Sequence, residues 1–274
     1  MNSLNCNGKL VDLSFPIIMG ILNMTPDSFY DGGKHNSLGD AIMKAEQMIG
    51  DGASIIDIGG MSSRPSAEIL TPDEELGRVL PVIKLIKEKY PNQIMSIDTV
   101  HGDVAEAAIN AGASMINDIS AGSIDPSIIQ VAIDKKVPYV LMHMQGKPMD
   151  MQDSPTYDNV VMDVLSFMKQ KVYDLRKAGI IDLIIDPGFG FGKTVEQNYQ
   201  LLKKMSVFSI LDCPIMVGLS RKSMIYKTLT ITSEESLNGS TALHMVALQN
   251  GAKILRVHDV KEACQTIKLF SLVD

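Results

Sequence analysis

The sequence is poor in aromatic and in positively charged residues. It has no Trp, and aromatic residues make up 5% of its 274 positions, so it lacks the stacking platforms that hold single-stranded nucleic acid. Its 25 Lys and Arg are outnumbered by 32 Asp and Glu, which gives a net charge of −7. A nucleic-acid-binding surface needs clustered cations to displace counterions from the phosphates. We therefore expect no nucleic-acid partner.

Cysteine and long apolar runs are also scarce. Cys6, Cys213 and Cys264 lie far apart without a C-x-x-C pair, which argues against a zinc or dithiol site and favours reduced thiols. The apolar run Phe15–Met24 is too short to span a bilayer, and residues 1–14 lack the features of a secretion signal. We expect a cytoplasmic protein without a membrane partner, in which residues 1–14 are an N-terminal extension.

Short apolar runs alternate with amphipathic stretches along the whole chain. Such runs without polar alternation are typical of strands that are buried on both faces of a parallel sheet. The predicted strands are Phe15–Leu22, Ser54–Ile58, Ile94–Ile97, Ser114–Ile116, Tyr139–Met142, Asp182–Ile185, Ile215–Leu219 and Lys253–Val257. The predicted helices are Asp40–Gly50, Pro72–Lys89, Asp103–Asn110, Ser127–Lys135, Asn159–Ala178, Val195–Met205, Lys222–Leu229, Gly239–Gln249 and Lys261–Phe270.

Residues that typically begin and end helices support this assignment. Thr71 and Thr194 each stand three residues before a Glu or Gln, as in a capping box, and Gly112, Gly179 and Gly251 follow predicted helices. Eight strand and helix units predict a (β/α)₈ TIM barrel as one α/β domain over residues 1–274. A doubly wound open sheet is the alternative, which strict alternation disfavours.

Polar residues follow every predicted strand. Catalytic groups of (β/α)₈ barrels lie at the carboxyl ends of the strands, so these residues are expected to converge on one rim. They are Asn23, Asp57, Ser63, Arg64, Asp98, Asn117, His143, Asp186, Arg221, Lys222, Arg256 and His258. Carboxylates and amides follow the middle strands, and cations follow strands two, seven and eight, a pattern that suits a substrate with a polar ring and an anionic tail.

The glycine-rich segment from Gly188 to Thr194 fits neither common nucleotide-binding motif. Only three residues separate Gly188 from Gly192-Lys193-Thr194, where a Walker loop has four, and Lys193 stands where a dinucleotide motif needs its third Gly. The segment instead predicts a tight turn that approaches a planar ligand, with Thr194 capping the next helix.

The motifs at the strand ends resemble those of the dihydropteroate synthases. The resemblance runs from Ile18 almost to the C-terminus, and eight motifs in order make it specific. It is carried by Met19–Phe29, Asp57–Gly60 with Ser63–Pro65, Ser96–Thr99, Ile116–Asp118, Leu141–Gly146, Asp186–Lys193, Ser220–Ser223 and Arg256–Asp259. It implies an enzyme of folate synthesis, a sulfonamide target and often a homodimer, which joins 6-hydroxymethyl-7,8-dihydropterin pyrophosphate to p-aminobenzoate with the help of Mg²⁺.

The resemblance also implies roles for individual residues. The pterin-binding positions are Asp98, Asn117, Met142, Asp186, Gly218, Lys222 and Arg256. The pyrophosphate-binding positions are Asn23, Ser63, Arg64, Arg256 and His258, with Asn23 as the metal ligand. The p-aminobenzoate-binding positions are Pro65, Phe191, Lys222 and Ser223. The catalytic positions are Arg64, Asp98, Lys222, Arg256 and His258. Ser63 and Ser66 replace the Thr and Gly that are common in the family.

Two other functions compete with this interpretation. A pterin-dependent methyltransferase domain shares the barrel and the pterin-binding groups, but it does not need the cations of Arg64, Lys222 and Arg256 as an anion-binding set. A catalytically silent pterin-binding protein would have lost some of Asn23, Arg64, Asp186, Lys222 and Arg256, and all five are intact. At sequence level Asp98 and Asp186 could also cap helices or turns, Asp57 could support the rim by hydrogen bonding, and Arg221 could contact either a ligand or a partner.

Overall fold

A computed structural model describes residues 3–24, 34–61, 69–146 and 155–273, with backbone only for residues 34–37. The strands are β1 (Ser3–Cys6), β2 (Lys9–Asp12), β3 (Ile17–Asn23), β4 (Ile55–Gly59), β5 (Ile94–Asp98), β6 (Met115–Asp118), β7 (Tyr139–Met142), β8 (Leu183–Asp186), β9 (Ile215–Val217) and β10 (Ala252–Val257). The helices are α1 (Lys34–Gly50), α2 (Pro72–Lys89), α3 (Gly102–Ala111), α4 (Ser127–Lys135), α5 (Val160–Ala178), α6 (Val195–Lys203), α7 (Ser223–Leu229), α8 (Leu237–Gln249) and α9 (Val260–Phe270).

Strands β3 to β10 form a closed parallel barrel. Each strand pairs with the next along the chain, and β10 pairs with β3 to complete the ring. Closure confirms the (β/α)₈ prediction and excludes the open-sheet alternative. The predicted ends of some elements were wrong by a few residues. Phe15 is exposed and precedes β3, β9 stops at Val217, α1 begins at Lys34, and α7 begins at Ser223 with Lys222 as its N-cap.

The barrel interior changes from apolar to polar along the strands. Its lower layer takes one apolar residue from each strand, namely Met19, Ile55, Ile94, Met115, Val140, Ile184, Met216 and Ile254, and these side chains pack together. Since side chains point to the same face every second residue, the next inward layer is Ile21, Asp57, Ser96, Asn117, Met142, Asp186, Gly218 and Arg256. The upper end of the barrel is therefore the end that can bind a polar molecule.

A hairpin of β1 and β2 covers the lower end, where the sequence predicted only an extension. Asn7 and Gly8 form its two-residue turn with φ of 53° and 86°. Asn-Gly is the strongest sequence signal for such a turn, so this element was predictable. Leu4 and Leu13 are fully buried and pack with the lower layer of the barrel. The hairpin thus completes the core and leaves the upper end as the open mouth.

The helix ends follow the predicted chemistry. Thr71 and Thr194 both form complete capping boxes, and Gly112 and Gly179 close α3 and α5 with φ of 126° and 112°. Ala263 and Phe270 of α9 are buried against the barrel, so the apolar stripe of this helix is a packing surface. Within the described ranges, no helix combines the length and apolar character needed to cross a membrane.

The position of the hairpin leads to a stability prediction. Leu4→Ala removes a fully buried side chain from the lower layer, so the free energy of unfolding should fall by about 2–4 kcal/mol. Leu10→Ala, in the same hairpin but 71% exposed, should change it by less than about 0.5 kcal/mol. Urea denaturation measures both, and equal small effects would show that the hairpin is not part of the core.

Candidate active site

A buried arginine occupies the centre of the barrel mouth. Arg256, on β10, donates from Nε to Asp57 Oδ2 at 2.6 Å and from Nη2 to Asp98 Oδ2. Asn117 Nδ2 donates to the same Asp57 oxygen at 3.0 Å. The network joins four strands, β4, β5, β6 and β10, and so fixes the guanidinium in one orientation. It confirms that Asp57 supports the rim by hydrogen bonding.

Burial and ion pairing act in opposite directions on these groups. Burial lowers the pKa of Arg256, but Asp57 and Asp98 outweigh it and hold that pKa above its ordinary value, so the guanidinium stays charged. Burial raises the pKa of Asp98, and Arg256 counteracts this effect. Removal of one partner would leave an uncompensated buried charge, so the groups hold one another in place. The site therefore contains a fixed cation with two carboxylates on one side.

Asp186 and Lys222 lie on the other side of the mouth. Asp186 is buried, its Oδ1 accepts the backbone N–H of Gly188 at 2.8 Å, and burial raises its pKa. The Lys222 Nζ lies 4.2 Å from the centre of the Phe191 ring, and burial, together with Arg256, lowers the pKa of Lys222 to about 8. A carboxylate and an ammonium thus face the same space from β8 and from the start of α7.

The mouth has open space beside Gly218. A Cβ atom added to Gly218 would meet no atom within 4 Å, although this residue belongs to the inward layer. One wall of the space is apolar, since Met142, Phe191, Val100 and Ile119 form a buried cluster. A flat ring with polar edges fits a space of this composition, because the ring faces can contact the apolar wall and the edges can reach the charged groups.

The glycine-rich turn after β8 is held by Lys193. Its ammonium lies 3.0 Å from His143 Nδ1 and donates to the carbonyl oxygens of Gly188 and Phe191 at 2.9 and 3.0 Å. Gly188 has φ of 72°, and a Cβ there would lie 1.9 Å from the carbonyl oxygen of His143. These contacts confirm the predicted tight turn and assign His143 to its support. This supporting role of Lys193 was not predicted from the sequence.

Cationic and polar groups surround His258 at the end of β10. Its Nδ1 lies 3.2 Å from Ser220 Oγ, and burial, then Arg256, Arg221 and Lys44, lower its pKa to about 3. The imidazole is therefore neutral at pH 7. Arg221 donates from Nε and Nη2 to the two oxygens of Asp259 at 3.1 and 2.6 Å.

Asn23 is placed where it could hold a metal ion with a substrate. A Cβ on Gly59 would lie 3.5 Å from Asn23 Oδ1 and 3.6 Å from Asp98 Oδ2, so both oxygens border one point of the rim. Mg²⁺ prefers such oxygen ligands and usually keeps water and substrate phosphates as the others. The donor set fits this ion. The described residues include no cluster of three or more His, Cys, Asp or Glu that could hold a metal alone.

Some predicted site residues cannot be placed. Ser63, Arg64, Pro65 and Ser66 lie outside the described residues. Ser223 is the first residue of α7 and is partly buried beside Lys222. The structure therefore brings Asn23, Asp98, Asn117, Met142, Asp186, Phe191, Gly218, Lys222, Ser223, Arg256 and His258 to the upper end of the barrel, through the strand ends and the segments that follow them.

Comparison with known proteins identifies the family. Residues 19–258 match the family described as pterin binding enzyme. The chain is 45% identical to the dihydropteroate synthase of Escherichia coli strain K12 over 96% of this chain and 93% of that protein. A Yersinia pestis dihydropteroate synthase, solved in a sulfonamide drug complex, superposes with a TM-score of 0.93 at 41% identity, covering 99% of this chain and 98% of that one.

A second solved structure gives the same result. The Xanthomonas albilineans dihydropteroate synthase with 4-aminobenzoic acid has a TM-score of 0.93 at 40% identity, again covering 99% of this chain and 98% of the other. The motifs, the barrel and these similarities agree with one another. The chain belongs to the pterin-binding enzymes and, among them, to the dihydropteroate synthase family.

Proposed function

We propose that the barrel mouth condenses 6-hydroxymethyl-7,8-dihydropterin pyrophosphate with p-aminobenzoate to give 7,8-dihydropteroate and pyrophosphate. The observation that carries this proposal is the inward layer of Asp57, Asn117, Asp186 and Arg256 beneath open space at Gly218. A methyltransferase needs no such fixed cation for an anionic leaving group. Steady-state formation of dihydropteroate and pyrophosphate by the purified chain tests the proposal, and absence of both products with fresh substrates would refute it.

The pterin ring is recognised by hydrogen-bonding groups that face the mouth from several strands. A pterin presents neighbouring N–H donors, which pair with both oxygens of a carboxylate, and ring acceptors, which pair with amide or ammonium donors. Asp186 supplies the carboxylate, Asn117 and Lys222 supply donors, and Asp98 lies alongside. Because Asp186 and Asn117 are buried, a ring without the matching edge leaves them unpaired at a high cost.

The two faces of the ring meet different partners. Met142 belongs to the apolar wall and contacts one face, while the guanidinium of Arg256 covers the other. Asp57 and Asp98 hold that guanidinium in place before substrate arrives. Stabilisation of charge by a group that need not reorganise is the largest contribution in many enzymes.

The leaving group lies toward Asn23 and His258. When the bond between the pterin CH₂ and the pyrophosphate oxygen breaks, its electron pair leaves with the oxygen, and the ring stabilises the cation that remains. Arg256 and the neutral His258 stabilise the departing anion, together with Ser63 and Arg64 in the family pattern. Asn23 would hold Mg²⁺, which neutralises phosphate charge when bound.

p-Aminobenzoate attacks from the side of Phe191. Its neutral amine forms the new N–C bond and then loses a proton, so no activated serine or cysteine is required. The ring contacts Phe191 and the aliphatic part of Lys222, together with Pro65 in the family pattern, and its carboxylate contacts Ser223. Lys222 Nζ lies 4.2 Å from the centre of the Phe191 ring, so these two side chains would meet the substrate side by side.

The oligomeric state and the cellular location of the protein are also part of the proposal. We expect a homodimer, which size-exclusion chromatography with light scattering would detect. A cytoplasmic location is supported by the free thiols of Cys6, Cys213 and Cys264.

The role of Asp186 gives a binding prediction. Asp186→Asn replaces two acceptors by one acceptor and one donor, so the affinity for a pterin should fall by about ten- to a hundredfold, or about 1.5–3 kcal/mol. Asp182→Asn, just before the other end of the same strand, is the matched control and should bind normally. Isothermal titration with a non-reactive pterin measures both variants. Unchanged affinity in Asp186→Asn would remove this residue from the pterin site.

The open space at Gly218 gives a second prediction. Gly218→Val places a side chain in the mouth at a position where its Cβ meets no atom within 4 Å, so kcat/KM should fall at least about tenfold while the melting temperature changes little. Gly39→Val, on an exposed position of α1 that is also free of nearby atoms, is the control. Normal kcat/KM in Gly218→Val would place the substrate elsewhere.

A further inference from the structure

A glutamate interrupts the buried face of α2. The buried side chains of this helix are Glu75, Val79, Val82, Ile83 and Ile86, which lie on one helical stripe. Glu75 is fully buried, at the position where the pattern calls for an apolar residue. Burial of a carboxyl is costly unless it is paired, and residues that break a local rule tend to mark functional sites. Glu75 belongs to none of the groups that bind substrate in the proposed reaction.

The Glu75 side chain reaches the carboxyl ends of two barrel strands. Its Oε2 accepts a hydrogen bond from Thr99 Oγ1 at 2.9 Å, and Thr99 directly follows Asp98. Its Cγ packs against Gly60 so closely that a Cβ there would lie 2.7 Å away. Arg78, one turn later on α2, donates to the carbonyl oxygen of Gly60 at 3.0 Å. Glu75 therefore fixes the backbone just behind Gly59 and Asp98, which border the metal and pterin positions.

Burial favours the neutral form of Glu75. Its Oε1 has no hydrogen-bond partner in the described part of the chain. The charged groups that face it there are Asp98 at the end of β5 and Arg78 on α2. Burial raises the pKa of Glu75 to about 7, the Thr99 hydroxyl opposes this effect, Asp98 adds to it, and Arg78 opposes it. Asp98 itself shares Arg256 with Asp57, so the array already contains two carboxylates for one guanidinium.

We propose that Glu75 is a positioning residue for the pterin half of the reaction, acting through Thr99 on Asp98 in its protonated state. Ionised Glu75 places a third carboxylate behind Asp57 and Asp98. A further negative charge near Asp98 weakens the attraction of Arg256 for the anionic substrate, and the ionised carboxylate of Glu75 is unstable in its buried position. The inference rests on the role proposed above for Asp98.

The test is the pH dependence of substrate affinity in the full chain. Between about pH 6 and pH 8.5 the ionisation of Glu75 should contribute an about three- to tenfold rise in the KM for the pterin pyrophosphate, beyond the rise that loss of the Lys222 proton produces. Glu75→Gln keeps the shape of the neutral carboxyl and cannot ionise, so the rise in its pterin KM over the same range should be smaller by that factor. The KM for p-aminobenzoate should change equally with pH in both proteins.

Glu74→Gln is the matched control, because this neighbouring glutamate is exposed and only caps α2. It should follow the unmodified chain at every pH. A Glu75→Gln protein whose pterin KM rises as steeply as that of the unmodified chain would overturn the proposal.

Thr99→Val keeps the test decisive if Glu75→Gln does not fold. Loss of the hydroxyl removes the contact through which Glu75 acts on Asp98, so the rise in pterin KM with pH should be smaller than in the unmodified chain. An unchanged rise would contradict the proposal. Asp98→Asn distinguishes a failure of the role proposed for Asp98 from a failure of the role proposed for Glu75. Normal pterin KM in this variant would refute the role of Asp98, whereas a raised KM with an unaltered Glu75→Gln profile would refute only the role of Glu75.

Discussion

A guanidinium buried at the centre of the barrel must be paired, and the architecture of the mouth depends on this requirement. Arg256 reaches Asp57 and Asp98, and Asn117 donates a second hydrogen bond to Asp57 Oδ2. These residues come from four strands that are distant in sequence, and only barrel closure brings them together. Breaking one partner of such a network leaves a buried charge uncompensated, which costs several kcal/mol. The groups that would recognise the pterin and release pyrophosphate are therefore also the groups that fix the rim.

The same requirement explains the layered interior. Below the network, each strand contributes an apolar side chain to a layer that the N-terminal hairpin closes. This layer excludes water from the lower end and gives the polar layer above it a low-dielectric base, where ion pairs are stronger than in water. The hairpin thereby supports the site without touching it. The net charge of −7 does not describe the barrel mouth, because the cationic side chains of Lys222, Arg256 and Lys193 all lie in or beside it.

The sequence predicted the strands and most caps because their signals are local. Apolar runs mark strands that are buried on both faces, and the Thr71 and Thr194 capping boxes need only four residues each. The positions of Asp98, Asn117, Asp186 and Arg256 at one rim follow from strand order alone. The hairpin of β1 and β2 was not predicted, although Asn7-Gly8 is a strong local signal for its two-residue turn.

Other features depended on long-range contacts that no local pattern contains. Lys193 lies five residues from Gly188 but reaches His143, which follows the neighbouring strand β7, and Arg221 pairs with Asp259 at the start of α9. Glu75 lies on the apolar stripe of α2 by helical spacing, but its hydrogen bond with Thr99 joins residues that are far apart in the sequence.

The central claim is that the polar layer of the barrel mouth recognises the pterin. A crystal structure of this chain with a non-reactive pterin tests it most directly. The account predicts a ring above the polar layer beside Gly218, with its pyrimidine edge within hydrogen-bond distance of Asp186 and Asn117 and with Met142 and Arg256 on opposite faces. A pterin bound outside the mouth, or inside it without contact to Asp186, would contradict the account.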